Sequence, residues 1–359
     1  MTTPVKHNLP QTPALAPNVI AWESTRACNF ACVHCRAQAQ KLPALNQLTT
    51  QEALNLVDQI ADLCKPVLII SGGDPLQRKD IFEIASHASS RGIRVVMSPS
   101  GSDITPDVIG KMKASGVKMI SISLDGSKPE IHDNFRGVPG AFELAMKNMS
   151  YARQGDLPFR VNTTVTQHNL GDLSGILQLA AKVGAQEWDV FMLVPTGRGK
   201  VEMEISPSQY EETLQFIYNA SHTSPIPIKM TCAPQYMRVI AQQQQKELTQ
   251  PVTRGVGRHT GGRGCMAGNG FCFISHIGEV FGCGFLTIPA GNIRHQSFKQ
   301  IYQQSPLFVE LRKHNLLKGK CGACEYKTIC GGCRARALSI HKNHLEEEPY
   351  CVYTPKKPC

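Results

Sequence analysis

Three cysteines within eight residues, Cys28, Cys32 and Cys35, follow directly on a short β-rich run, Val19 to Glu23, and they limit what this chain can fold around. Three thiolates on one short loop can hold three irons of a [4Fe–4S] cube and leave the fourth iron open. A four-cysteine site saturates a cluster and suits electron storage, whereas an open iron accepts a substrate-like ligand. A structural zinc knuckle would need a fourth Cys or His at a fixed distance. His34 lies beside Cys35, too close to complete that tetrahedron easily.

The run before the cysteines is the first of six. Pro66 to Ser71, Arg94 to Ser98, Met119 to Leu124, Phe159 to Val165 and Trp188 to Val194 read as further strands. Thr50 to Leu63, Ile81 to Arg91, Pro106 to Ala114, Ala141 to Arg153 and Leu173 to Val183 carry apolar residues at helical spacing. Such alternation predicts an α/β fold, a parallel sheet with right-handed crossovers closing into a partial (β/α)6 TIM-like barrel. Barrels of this kind carry their chemistry at the C-terminal ends of the strands, where the cysteine loop sits. We divide the chain into a flexible N-terminal lead over 1–18, a barrel core over 19–200, a helical bridge and linker over 201–262 and a cysteine-rich part over 263–359. The bridge holds helices over Pro207 to Ser221 and Tyr236 to Leu248, and the Gly/Arg-rich stretch Thr253 to Gly264 reads as a linker or lid loop.

No charged-then-apolar signal opens the sequence, and no apolar run is long enough to cross a bilayer, so a cytoplasmic location without membrane association is expected. In a reducing compartment, 14 cysteines clustered at short spacings point to metal rather than to disulfides. The net charge of +10 is scattered and lacks aromatic interleaving, which speaks against a nucleic-acid partner. An acidic small substrate or an electron-donor protein accounts for it.

A second set of cysteines starts at Cys265. Twelve intervening residues separate it from Gly278 and four more separate Gly278 from Cys283, which is followed by Cys321-x-x-Cys324, Cys330-Gly-Gly-Cys333 and Cys351. Iron–sulfur clusters and a pair of zinc sites both fit this spacing. Ser71-Gly72-Gly73-Asp74-Pro75 closes the second strand, and its glycines allow close backbone approach. Ser98 and Ser100, Ser123 and Asp125, and Asn162 and Thr164 are polar at the ends of otherwise apolar strands, which is expected only if they face a ligand.

Together, the N-terminal triad and the C-terminal spacing resemble the radical S-adenosylmethionine (SAM) enzymes that carry a SPASM domain, over nearly the whole chain from Ile20 to Pro355. The resemblance implies that SAM chelates the open iron at Cys28, Cys32 and Cys35. It places the SAM amine on Gly72, Gly73, Asp74 and Pro75, with Asp74 where Glu is commoner. Ser98, Ser100, Ser123, Asp125, Asn162 and Thr164 would contact the ribose and methionine carboxylate, with Arg136 as a carboxylate-binding candidate. One or two auxiliary [4Fe–4S] clusters are also implied. Cys265, Cys272, Cys283 and Cys333 would hold the first, and Cys321, Cys324, Cys330 and Cys351 the second, although the Cys330–Cys333 gap is one residue shorter than the usual pattern. A flavodoxin or ferredoxin would be the electron donor.

Segments beyond that framework, among them Phe191 to Lys200, Thr231 to Tyr236 and Cys330 to Ala337, resemble the haem-pathway group within these enzymes, which acts on iron tetrapyrroles bearing several carboxylates. That resemblance implies oxidative decarboxylation of the propionates of iron coproporphyrin III to vinyl groups, with an auxiliary cluster taking the surplus electron. Acetate removal from didecarboxysiroheme and haem d1 synthesis are the alternatives within the group. Arg198, Lys200, Arg334 and Arg336 would neutralise the carboxylates. Cys232 and His276 read either as contacts to the substrate iron or as a structural thiol and a core histidine. Peptide maturation, common among SPASM enzymes, usually involves an N-terminal peptide-binding module, and the short lead before Val19 is not expected to hold one. A non-enzymatic iron–sulfur electron carrier would explain the C-terminal cysteines but not the open-iron triad.

Overall fold

The computed structural model describes residues 15–249 and 264–356. Apart from Gly264, the Gly/Arg-rich stretch lies outside the described residues, as do residues 1–14 of the lead. Seven strands pair in parallel and in sequence order: β1 (Val19–Glu23), β2 (Val67–Ser71), β3 (Arg94–Met97), β4 (Met119–Ser123), β5 (Phe159–Val165), β6 (Trp188–Met192) and β7 (Ile228–Thr231). The crossovers carry α1 (Thr50–Leu63), α2 (Ile81–Ser90), α3 (Pro106–Ala114), α4 (Pro129–Arg136), α5 (Ala141–Gln154), α6 (Leu173–Lys182) and α7 (Pro207–Thr223), and α8 (Tyr236–Thr249) follows β7. Strand β8 (Phe271–Ile274) joins the opposite edge, parallel to β1, and β9 (Glu279–Phe281) and β10 (Pro289–Asn292) extend it antiparallel. The chain ends on α9 (Phe298–Gln304), α10 (Pro306–Leu311), α11 (Gly319–Ala323) and α12 (Arg334–His341). A single ten-stranded sheet thus runs through both cysteine-bearing regions.

The expected α/β alternation is present, and its first helix shows why. Thr49 accepts the Glu52 amide, and the Glu52 carboxylate accepts the Thr49 amide, a reciprocal box that fixes where α1 starts. Its buried face of Ala53, Leu56, Val57 and Ile60 packs into the same core as Ile20, Trp22, Leu68 and Ile70 from the sheet. Strands covered on both faces read as apolar runs, which is what made these six legible.

The seventh parallel strand departs from the six-unit expectation, and residues 201–249 are not purely helical. Its sequence, Ile228-Lys229-Met230-Thr231, is short and half polar. Asp189 on β6 satisfies that polarity, accepting from Thr231 Oγ1 at 2.6 Å and from Lys229 Nζ at 3.3 Å. The short helix α4 is a further departure from that expectation: it buries only His132 and Phe135 of its eight residues.

Where β1 ends, Glu23 is 0% exposed. Its carboxylate accepts from Arg36 Nη2 at 2.6 Å, His276 Nδ1 at 2.8 Å and Arg26 Nε at 3.1 Å. Burial alone would raise its pKa, but the His276 hydrogen bond and the two guanidinium charges outweigh it and hold the group at about 2. A carboxyl depressed from 4.5 contributes stability above pH 4.5 and loses it as the pH falls toward 2. Glu23→Gln should therefore cost on the order of 3 kcal/mol at pH 7, the linkage worth of a carboxyl held at about 2 rather than 4.5. In chemical denaturation, the gap between the variant and the parent should narrow progressively below pH 4.5.

Candidate functional site

The cysteine loop leaves β1 and is pinned by backbone alone at several points. Cys28 N donates to Gln40 O at 2.8 Å, Gly73 N to Thr25 O at 2.7 Å and Asp74 N to Ala27 O at 2.7 Å. A Cβ on Gly73 would meet Ala27 O at 2.4 Å and Arg26 O at 2.6 Å, so only glycine lets the β2 terminus lie against the loop. Across the loop, Arg198 N donates to Cys35 O and Arg198 Nε to Cys32 O, each at 3.0 Å. His34 stacks on Phe135 with centroids 4.2 Å apart. Burial pushes the Cys28 thiol up to about 11, so this thiol favours the thiolate only when a metal takes the proton's place.

Around this loop the strand ends form a polar rim. Ser98, Ser123, Asn162 and Thr164 are all half-buried. Pro75 is buried at the start of a 3-10 turn whose cap is Asp74, and Asp74 accepts the Leu76 amide at 3.0 Å. Ser100 and Ser102 also donate to the Asp74 carboxylate, the second at 3.2 Å. Asp125 accepts the Thr164 amide at 2.7 Å and pairs with Arg136. Arg136 Nη1 lies 3.7 Å from Cys32 Sγ. Desolvation disfavours the Arg136 charge, but Asp125 and the Cys32 thiol beside it hold the proton on. Two buried atoms on this rim have no hydrogen-bond partner: Asn162 Oδ1 and Arg136 Nε. A buried acceptor and a buried donor left open are costly unless a ligand completes them.

The C-terminal cysteines fall into two groups. Cys321, Cys324, Cys330 and Cys351 line one small cavity together with Gln235 and Arg238. Gln235 is buried there with both side-chain amide atoms unpartnered, a vacancy suited to cluster sulfides or their thiolate ligands. Cys265, Cys283 and Cys333 form the other group, within electrostatic reach of one another. Cys265 N donates to Cys330 O at 2.9 Å, and Cys333 N to Glu348 Oε2 at 2.8 Å, which ties the two groups together. Cys272 does not join them. It sits mid-β8 at 0% exposure, paired with Ile20, and its titrating neighbours are Cys64 and Arg312. Strand alternation is the reason: Phe273 points to the side where Arg36 stacks on it at 4.3 Å, so Cys272 points the other way.

Residues 22–180 match the radical SAM superfamily, and residues 265–334 match the SPASM iron-sulfur cluster-binding domain. The AdoMet-dependent heme synthase of Methanosarcina barkeri is 46% identical over 95% of this chain and 98% of its own length. This chain belongs to the radical SAM superfamily. A more distant relative, the Fe-coproporphyrin III synthase of the same organism, is 27% identical over 94% of this chain and 88% of its own. Among solved structures, SuiB of Streptococcus suis bound to its precursor peptide SuiA superposes with a TM-score of 0.74 at 15% identity, covering 96% of this chain and 77% of that one, a likeness of fold.

As a radical SAM enzyme with a SPASM domain, the protein is an oxidoreductase that uses [4Fe–4S] clusters and SAM. The unpartnered atoms of Asn162, Arg136 and Gln235 are consistent with such groups at the triad and in the second auxiliary cavity. Gln235 and Glu23 were not picked out from sequence. Gln235 lies inside the quoted Thr231 to Tyr236 segment, but only its burial without partners marks it.

The arginines expected to meet substrate carboxylates have other partners. Arg198 holds the cysteine loop, as above. Arg334 Nη1 donates to His344 O and Glu346 O, both at 2.7 Å, and its Nη2 approaches Cys321 Sγ at 3.6 Å. Arg336 is 0% exposed, with Nε 3.1 Å from Glu204, Nη1 3.3 Å from Glu348 and Nη2 2.7 Å from Leu193 O. Arg334 and Arg336 thus spend their donors within the protein, whereas Arg198 keeps one buried donor, Nη2, without a partner. His276 is committed to Glu23, and Lys200 is exposed. Arg336→Ala should thus act on folding, costing about 3–5 kcal/mol by stranding two buried carboxylates; a thermal melt without any ligand reads it. Replacing Cys28, Cys32 and Cys35 together by Ala should abolish 5′-deoxyadenosine formation and leave a folded protein that still binds iron, measured by chromatography and iron assay.

Proposed function

We propose that this enzyme converts propionate side chains of iron coproporphyrin III to vinyl groups, giving haem b. The observation that carries the reading is the 46% identity, over almost the full length of both chains, to a protein named AdoMet-dependent heme synthase, against 27% to one named Fe-coproporphyrin III synthase. The second value weighs against acetate removal. Each propionate gives up one carbon dioxide, one hydrogen atom and one electron to become a vinyl group. When bound, the cluster and SAM supply a primary carbon radical as the hydrogen acceptor. The chain's own task is to position the side chain and to keep water and stray C–H bonds away.

A cleft of about 460 Å³ beside the cysteine loop suits that task. Gly197 packs so closely on the loop that a Cβ would meet Arg36 O at 2.3 Å and Cys35 O at 2.5 Å. From there the cleft runs past Phe285, Ile288 and Leu338 to Ser339 and Lys342. Phe285, Ile288 and Leu338 give it an apolar side that fits a macrocycle face, beside the polar Thr196, Thr287, Ser339 and Lys342. Lys342, which uses one donor on Ser339 O at 2.7 Å, retains others for a carboxylate at the mouth. The electron arrives from a flavodoxin or ferredoxin, and the enzyme works in the cytoplasm. No described helix is long and apolar enough to cross a membrane.

The test is anaerobic incubation with SAM, dithionite and, in turn, iron coproporphyrin III, didecarboxysiroheme and a haem d1 precursor, with mass detection. Loss of two carbon dioxides from iron coproporphyrin III alone supports the reading; turnover of another tetrapyrrole instead refutes it. Lys342→Glu should weaken iron coproporphyrin binding, followed at the Soret band, by about tenfold or more, equivalent to about 1.4 kcal/mol. Slow SAM cleavage without porphyrin should persist in that variant.

A further inference from the structure

With Cys272 turned away, the group of Cys265, Cys283 and Cys333 is one thiolate short of a fully ligated cube. We propose that Cys232, at the C-terminal end of β7, is the fourth protein ligand of the cluster held by Cys265, Cys283 and Cys333. The residue lies between the segments matching the two family patterns, 22–180 and 265–334, so neither includes it.

Three observations converge on it. Its thiol lies within electrostatic reach of Cys333, Cys283 and Cys265, the three members of this group. Its backbone is left-handed, with φ of +60°. Among the described residues only Gln38, Asp156 and Lys342 share that trait without being glycine, and all three are exposed where Cys232 is not. A non-glycine residue held in this region costs on the order of 1 kcal/mol and persists only where its surroundings over-determine it.

The surroundings do so here. The Cys232 carbonyl accepts from Tyr210 Oη at 3.1 Å and from Arg336 Nη2 and Nη1 at 3.4 and 3.5 Å. Arg336 stands one turn into α12, whose N-cap is Cys333. The same guanidinium reaches Glu348, which accepts the Cys333 amide. One buried cation therefore fixes the Cys232 backbone relative to the Cys333 loop. On binding iron, the Cys232 thiol releases its proton to solvent and coordinates as thiolate.

The inference rests on the cluster content of the superfamily and not on the tetrapyrrole reading, and its test needs no porphyrin. In anaerobically reconstituted full-length protein, Cys232→Ser should lose about four irons and four sulfides per chain or shift the EPR signal of one auxiliary cluster. Cys272→Ser should match the parent in both. Loss of a cluster in the Cys272 variant, with an unaltered Cys232 variant, would overturn the proposal. Should Cys232→Ser fail to fold, the near-isosteric Cys232→Sec decides. Selenium-edge X-ray absorption is expected to show iron bonded directly to selenium, and a spectrum with carbon as the sole near neighbour refutes the ligand.

Discussion

The Glu23 carboxylate, without exposed surface, is the contact on which the geometry of this enzyme depends. Arg26 and Arg36 belong to the cysteine loop, and His276 follows β8 in the SPASM part, so one buried anion joins the SAM-cluster loop to the auxiliary domain. Arg36 extends the link, stacking on Phe273 and reaching Gly284 O at 3.5 Å, one residue past Cys283. Buried charges in such a hub are tolerable because each is paired and hydrogen-bonded. A displacement at either side would unpair several of them at once.

Arg336 plays the same part at the other end of the sheet. It ties α12 to the termini of β6 and β7 through Leu193 O and Cys232 O, while Glu204 and Glu348 balance its charge. The segment between β6 and the next 3-10 turn, clamped to the cysteine loop by Arg198, then lies between the SAM-cluster loop and α12. The cleft forms at this junction. Its position follows from two buried ion networks that set the SPASM elements against the barrel's open end.

Much of this was legible in the chain. The triad after β1, the apolar runs buried on both faces and the Gly72-Gly73 turn each encode local geometry, and local geometry survives tertiary context. Side-chain direction did not read out in the same way. Cys272 reads from the sequence as a cluster ligand and Cys232 as a substrate contact or a structural thiol, and only the burial of Cys272 within β8, beside Cys64, separates it from the other cysteines. The partners of the arginines did not read out for a related reason. Arg336 sits in a cysteine motif, yet its partner Glu204 is 132 residues away, a distance over which sequence pattern carries no pairing information. Strand β7 was hidden because its polar residues are satisfied by Asp189 of the neighbouring strand.

In the proposed reaction a hydrogen atom leaves a tetrapyrrole side chain for the carbon radical derived from SAM. Iron coproporphyrin III deuterated on the propionate methylene carbons tests it most directly, through the isotope content of the 5′-deoxyadenosine released. Deuterium is expected in that product, in step with carbon dioxide and vinyl formation. Unlabelled 5′-deoxyadenosine accompanying vinyl product would contradict it, because the hydrogen would then come from elsewhere.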